Sequence, residues 1–334
     1  MIISRTPYRI SLFGGGSDYP QWYREHGGSV LGFAIDKYCY LSVRELPPFF
    51  DHKHRIVYSF IELVRKIEEI QHPAVRHILQ EFNVDKGLEI HYDGDLPARS
   101  GLGSSSSFTV GLIKALYALE GRMISKRALS KKGIHIEQNV IGENVGSQDQ
   151  VWAAYGGINR IDFSPDESIS VTPLIMSRGR QTELQKSLML FYTGVSRIAD
   201  GIAKRKIANL KNRKNHINRM MEMVDEAEGI LANTEWSYQD LGILLHESWM
   251  LKRELADGVT TPLIDEAYET ARQNGAIGGK VLGAGGGGFL AFLVDPKRRE
   301  EVAKSLSGLL PVDFGVDTVG SKIVVYEPQG LSES

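Results

Sequence analysis

Pro97-Ala98-Arg99-Ser100-Gly101-Leu102-Gly103-Ser104-Ser105-Ser106-Ser107 is the stretch on which the reading of this chain turns. It follows a strand-like run over 87–92. It precedes Phe108, Leu112, Ala115, Leu116 and Leu119, spaced for one face of a helix over 105–119. Glycines let the backbone approach a ligand closely. The helix start beyond them offers unpaired N–H groups and the positive end of a dipole, which suits phosphate. Serine hydroxyls there can cap the helix, contact phosphate oxygens or ligate Mg²⁺. One cap needs one serine and four stand here, so the spacing favours phosphate.

Two further glycine clusters lie far away in sequence: Gly14 to Gly16, and Gly278, Gly279, Gly283 and Gly285 to Gly288. The chain holds 35 glycines in 334 residues, above the typical ~7%. Three such clusters favour an anionic ligand, most simply a nucleotide. Residues 283–288 satisfy G-x-G-x-x-G, but Phe289-Leu290-Ala291-Phe292-Leu293-Val294 follows as a strand. A dinucleotide turn must open a helix, so the Rossmann reading is excluded. No G-x-x-x-x-G-K-[ST] is present. Asp313-Phe314-Gly315 spells a protein-kinase metal motif without the His-Arg-Asp loop that should precede it, and is read as chance. His52 and His54 lack the partners a zinc site needs.

Pattern places strands at 2–13, 29–45, 87–92, 187–193, 277–282, 289–294, 312–318 and 321–326. It places helices at 105–119, 126–141, 237–256, 262–273 and 297–309. Residues 60–82 carry Ile61, Val64, Ile67 and Ile70 at helical spacing, broken or bent at Pro73. The charged stretch 199–232 reads as a solvated helical face over a core stripe. Strands and helices mix without βαβ alternation, which predicts an α+β fold. The length suits two domains or one large one. A polar shift at 175–187 divides a unit of 1–180 from one of 187–330.

Hydrophobic residues make up 42% and charged residues 24%, with a net charge of −2. Disordered, collagenous and disulfide-scaffold classes are excluded. The charge balance argues against a nucleic-acid or membrane-surface partner. Cys39 is the single cysteine, which fits a reducing cytosol. The start MIISRTPYRIS has no signal-peptide pattern, and no run approaches the ~20 apolar residues of a membrane span. The expectation is a cytoplasmic protein.

With these residues in view, the chain resembles the GHMP kinase superfamily, which includes galactokinase, homoserine kinase, mevalonate kinase and phosphomevalonate kinase. Residues 97–105 match its middle motif, Pro-x-x-x-Gly-Leu-x-Ser-Ser. Residues 283–288 match its C-terminal glycine loop, and Arg9 to Tyr19 match the first motif of its sugar kinases. The order is the family's and the motifs span the chain. The resemblance implies a two-domain α+β fold with the active site between the domains, an ATP-dependent kinase activity, and ATP and Mg²⁺ as cofactors. ATP would bind through Gly101, Leu102, Gly103, Ser104, Ser105, Ser106, Gly283, Gly285, Gly286 and Gly287.

The stretch from Glu137 to Gln150 resembles the sugar-kinase pattern E-x-x-x-x-G-x-x-x-G-x-x-D-Q. The resemblance puts the catalytic carboxylate on Asp149, Mg²⁺ ligands on Glu137 and Ser105, and the basic residue of the first motif on Arg9. It gives Asp18, with Gly16 and Ser17, to the sugar. Phosphoryl transfer runs on positioning and charge neutralisation, which these residue types supply. A hard cation takes oxygen ligands, a carboxylate can take the acceptor's proton, and an arginine can keep it ionised.

Galactokinases carry Glu-His-Thr-Asp-Tyr where this chain has Gly15-Gly16-Ser17-Asp18-Tyr19, and mevalonate kinases lack the downstream Asp-Gln. The form Arg9 to Pro20, continued by Trp22-Tyr23, His26-Gly27-Gly28 and Ala34 to Tyr38, resembles the branch that acts on D-glycero-D-manno-heptose 7-phosphate. That branch phosphorylates the anomeric hydroxyl for nucleotide-activated heptose synthesis. A sugar phosphate and ATP are then the small-molecule partners, and a homodimer is compatible. Ser196 and Arg197, expected at a helix start after strand 187–193, suit the sugar's own phosphate. A free-sugar 1-kinase of the fucokinase type is the alternative. A silent sugar sensor on this fold should have lost its carboxylate or metal ligand, yet Asp149, Glu137 and Ser105 all stand. A decarboxylase on the fold would release CO₂ from a diphosphorylated acid.

Overall fold

Two long strands, β1 (Ile2–Phe13) and β2 (Gly28–Glu45), pair antiparallel and form the spine of the first sheet. The computed structural model describes residues 1–195, 200–233 and 237–328. The first eight residues of β2 are buried without alternation and the remainder alternates, as a strand does when only its first half is covered on both faces. Its partners change accordingly. Gly28–Phe33 pairs with β6 (Ile158–Phe163), which carries β7 (Ile169–Pro173), and Cys39–Glu45 pairs with β5 (Leu88–Gly94). Beyond β5 lie β3 (His54–Val57), parallel to it, and the edge strand β4 (Ile61–Val64). The second sheet has the order β11 (Leu310–Val312), β8 (Leu188–Tyr192), β10 (Phe289–Val294), β9 (Ala276–Val281), all antiparallel. β12 (Lys322–Tyr326) returns to pair with β1, so the last strand lies in the first sheet although it follows residue 187 in the chain.

The helices are α1 (Pro20–His26), α2 (Pro73–Glu81), α3 (Ser104–Leu119), α4 (Lys126–His135), α5 (Gln148–Tyr155), α6 (Arg178–Ser187), α7 (Asp200–Asn209), α8 (Lys214–Ala232), α9 (Tyr238–Arg253), α10 (Pro262–Gln273) and α11 (Arg299–Ser305). α3 packs on β1 and β2. It sits close because a Cβ on Gly111 would lie 2.8 Å from Thr6 Oγ1. α5 and α8 also pack against β2, and α9 and α10 cover β9. The α+β expectation stands. No helix among the described residues is long and apolar enough to cross a membrane.

The helix expected over 60–82 is half wrong. Residues 61–64 are the edge strand, and the helix begins at Pro73, the first helical position, where a missing N–H costs nothing. Ile61 and Val64 stand at a helical spacing, but in the strand Glu62 is the buried position while Ile61 and Leu63 face solvent. The stretch 199–232 is two helices joined by a 3₁₀ turn over Leu210–Arg213. The strand expected at 312–318 ends at Val312, leaving one bridge between Ile35 and Val316.

Candidate active site

Arg9 on β1 organises the site. Its Nε donates to Asp149 Oδ1 and its Nη2 to Asp149 Oδ2, both at 2.7 Å, and its Nη1 donates to Gly101 O at 2.6 Å. This bidentate, charge-assisted pair fixes the carboxylate in orientation as well as charge. Its third bond ties the pair to the middle glycine loop. Asp149 lies in the first turn of α5, whose N-cap is Ser147. It therefore does not cap that helix. Its side chain keeps 23% exposure toward the cavity while that of Arg9 keeps 5%.

The middle and C-terminal glycine loops meet backbone to backbone. A Cβ on Gly283 would lie 2.5 Å from Gly101 Cα, and one on Gly101 would lie 2.6 Å from Leu282 O. Only glycine permits this approach. The four serines go to four destinations, and none caps α3, whose N-cap is Gly103. Ser104 Oγ accepts from Arg99 N at 2.9 Å, Ser106 Oγ donates to Glu137 Oε2 at 2.8 Å, and Ser107 Oγ donates to Pro7 O at 2.8 Å. Ser105 alone is exposed at the cavity wall. Leu102 is fully buried, and its carbonyl accepts from Arg9 N at 3.0 Å, so it anchors the loop rather than facing a ligand.

Gln148-Asp149-Gln150 meets three charged partners in succession. Gln148 Nε2 donates to Asp18 Oδ2 at 2.8 Å, Asp149 pairs with Arg9, and Gln150 Nε2 donates to Glu137 Oε2. Glu137 sits in a π-helical turn, Ile136–Ile141. It is fully buried, its Oε1 has no hydrogen-bond partner among the described residues, and burial pushes its carboxyl up to about 7. Asp18 is also buried and its carboxyl is raised by burial, opposed by the Gly16 N–H that donates to Oδ1 at 2.9 Å.

One cavity of about 370 Å³ is lined by Arg9, Gly16, Asp18, Ser105, Asp149 and Gly283 among others, and Glu137, fully buried, lies behind its wall. Several expected residues are not on its wall. Ser17 is fully buried, with Oγ within reach of Gly14 O (2.8 Å) and Ser29 O (2.9 Å), and acts as a strut for the first glycine loop. Gly285, Gly286 and Gly287 lie behind the wall, where Gly286 N already donates to Val259 O at 2.9 Å. Ser196 and Arg197 fall outside the described residues. The sequence reading missed three lysines on the wall: Lys206 of α7, Lys252 of α9 and Lys280 of β9. Lys206 was counted in a solvated face, and only the fold turns it inward.

Comparison with known proteins agrees with this geometry. Residues 63–157 match the GHMP kinases N terminal domain, and residues 234–311 match GHMP kinases C terminal. The chain is 30% identical over 315 residues to the D-glycero-alpha-D-manno-heptose 7-phosphate kinase of Campylobacter jejuni, covering 91% of this chain and 93% of that one. It is 29% identical over 261 residues to the mevalonate kinase of Thermococcus sibiricus, covering 75% and 73%. The fold overlays that of a D-glycero-D-manno-heptose 1-phosphate kinase from Bacteroides thetaiotaomicron with a TM-score of 0.79 at 24% identity, covering 98% of this chain and 100% of that one. Two matched domains and a nearly full-length relative lead to one assignment: the chain belongs to the GHMP kinases, ATP-dependent phosphotransferases with a hydroxyl acceptor.

Proposed function

We propose that this protein is a cytoplasmic sugar 1-kinase that phosphorylates the anomeric hydroxyl of D-glycero-D-manno-heptose 7-phosphate to the 1,7-bisphosphate, using ATP and Mg²⁺. The observation that carries the reading is the Arg9–Asp149 pair opening onto the cavity that Asp18 also borders. The 30% identity to the C. jejuni kinase supports the choice of acceptor. Residues 1–180 and 187–330 form the two units of this proposal, with β12 contributed back to the first sheet.

Asp149 takes the acceptor's proton as the anomeric oxygen attacks the γ-phosphorus and the bond to the β–γ bridging oxygen breaks. Arg9 aims Asp149 through its two hydrogen bonds. Gly101, Gly103 and the start of α3 offer backbone N–H groups and a helix dipole to the phosphates. Gly16 and Gln148 hold Asp18 in place for the sugar hydroxyls. The donor chemistry fits Mg²⁺: Glu137 has a buried, unpartnered oxygen, and Ser105 presents a hydroxyl to the cavity. No cluster of three or more His, Cys, Asp or Glu competes for it among the described residues. Held by Glu137 and Ser105, a bound Mg²⁺ would supply charge neutralisation for the transferring phosphates.

An ADP-release comparison of heptose 7-phosphate, heptose and L-fucose tests the reading. The highest kcat/KM belongs to heptose 7-phosphate. A higher value for L-fucose would favour the free-sugar 1-kinase.

A further inference from the structure

A buried ammonium group is costly, and three in one cavity also repel one another. Lys206, Lys252 and Lys280 keep only 5%, 5% and 2% exposure. Their partners do not carry the opposite charge. Lys252 Nζ donates to Val281 O (2.6 Å) and Gly283 O (2.8 Å), and Lys280 Nζ donates to Leu12 O at 2.5 Å. Lys206 Nζ has no hydrogen-bond or ion-pair partner among the described residues, and its side chain lines the cavity.

The charges on the cavity wall show what is missing. Arg9 and Asp149 neutralise each other. Arg99 and Glu143, the other opposite charges on the wall, cancel in sign. Counted formally, what remains is three lysines against Asp18, a surplus of two positive charges, equal and opposite to the charge of one phosphate dianion whose binding would draw the protons onto the amines. Burial lowers Lys206 to about 8, against the pull of Asp18, and burial followed by repulsion from Lys206 and Arg9 lowers Lys280 to about 7. Such a cluster adds nothing to the stability of the empty protein.

The position favours the acceptor side. Lys280 is tied to Leu12, just ahead of the glycine loop that carries Gly16 and Asp18. All three lysines feel the charge of Asp18. Lys252, bonded to Gly283 O, stands where the cluster meets the C-terminal glycine loop, and the nucleotide phosphates would have their own backbone donors in the middle loop and the α3 N-terminus.

We propose that Lys206, Lys252 and Lys280 form the subsite that binds the acceptor's own phosphate and so makes the enzyme select a phosphorylated sugar. This rests on the kinase reading above and deepens it. The subsite is built from α7, α9 and β9, and does not depend on Ser196 or Arg197. The dianion replaces repulsion between the amines with attraction to a common partner, so binding is stronger in the folded cavity than the same contacts in water.

The test measures kcat/KM for heptose 7-phosphate and for heptose in the parent and in the Lys206→Met and Lys280→Met variants. Each variant should lower the ratio of the two values at least about tenfold, the effect of one lost charge-assisted contact. A ratio retained in both variants overturns the subsite while leaving the kinase reading intact. Equal kcat/KM for the two acceptors in the parent overturns the proposed acceptor and the subsite with it. A second measurement needs no variant. In the parent, inorganic phosphate should inhibit competitively against heptose 7-phosphate and not against ATP. Competition against ATP alone would assign the lysines to the nucleotide phosphates and overturn the proposal.

Discussion

Asparagine at position 149 is nearly the same size as the native aspartate, and the structure predicts what it removes. Only one of its two terminal atoms can accept from Arg9. The other becomes an N–H₂ facing an Arg9 N–H where a 2.7 Å bond stood. One charge-assisted hydrogen bond, ~1.5–3 kcal/mol, is lost. Arg9 also remains buried without its counter-charge, a change that costs ~3–5 kcal/mol at a fully buried pair. Water reaches this pair through the 23% exposure of Asp149, and removing Asp149 relieves its repulsion of Asp18. Both bring the net loss toward about 2–3 kcal/mol, or a fall in Tm of about 4–12 °C. Turnover loses its proton acceptor, worth ~10²–10⁴-fold. The ring oxygen makes an anomeric hydroxyl more acidic than an ordinary alcohol, which favours the lower part, ~10²–10³-fold. Arg9 stays bonded to Gly101 O, so KM for ATP should move less than about threefold, well under the effect of one lost contact. Coupled ADP release and a thermal scan on one sample of Asp149→Asn read all three. A Tm that falls as expected with kcat within about tenfold of the parent would make Asp149 a structural partner of Arg9 and refute its role as base.

Other perturbations separate the parts of the site. A Cβ at Gly146 would lie 1.9 Å from Asp18 Oδ2, so Gly146→Ala should raise KM for the sugar about tenfold or more by displacing that carboxylate, with little change in KM for ATP; an unchanged sugar KM would mean that Asp18 does not hold the acceptor. Glu137→Gln should raise the Mg²⁺ concentration for half-activation about tenfold, and Ser105→Ala should shift it in the same direction; superimposable titrations would remove both from the metal site. The lysine cluster also gives a pH signature. Lys280 is lowered to about 7 in the folded chain by burial and by Lys206 and Arg9, against the opposing pull of Asp18, while the unfolded chain keeps ~10.4. Between these values the unfolded state binds more protons, so this group's contribution to stability rises with pH across that window and is lost as pH falls through about 7. Relative to the parent, ligand-free Lys280→Met should therefore gain most in Tm near pH ~6–7 and nothing near pH ~10; a pH-independent difference would contradict the buried charge.

Much of the site was legible because glycine and carboxylate positions are constrained locally. A loop that brings two backbones within a Cβ's width must spell glycine, as at Gly101 and Gly283. The segment from Glu137 to Gln150 could be read from its resemblance to the sugar kinases. The choice among neighbouring serines could not be read in the same way. Ser105 and Ser106 differ by about 100° of helix rotation, and only the packing of α3 sends Ser106 to Glu137 and leaves Ser105 at the cavity. Ser17 and Leu102 sit inside motifs, yet their side chains brace loops that others use. The lysines were hidden for a different reason. They come from two helices and a strand far apart in sequence, and a lysine in a charged helix looks solvated until the fold buries it. The edge strand β4 reads as a helix because Ile61 and Val64 stand three apart, whereas the strand buries Glu62 and leaves Ile61 and Leu63 exposed, a pattern hydrophobic periodicity does not show.

The central claim is a phosphoryl transfer to the anomeric oxygen of a sugar already phosphorylated. Phosphorus NMR of the products from heptose 7-phosphate, ATP and Mg²⁺ tests it most directly. The account predicts one ADP released per sugar and a second sugar phosphate signal coupled to the anomeric proton, with the original phosphate retained. A new phosphate on any other carbon, or no ADP-linked product from this acceptor, would contradict it.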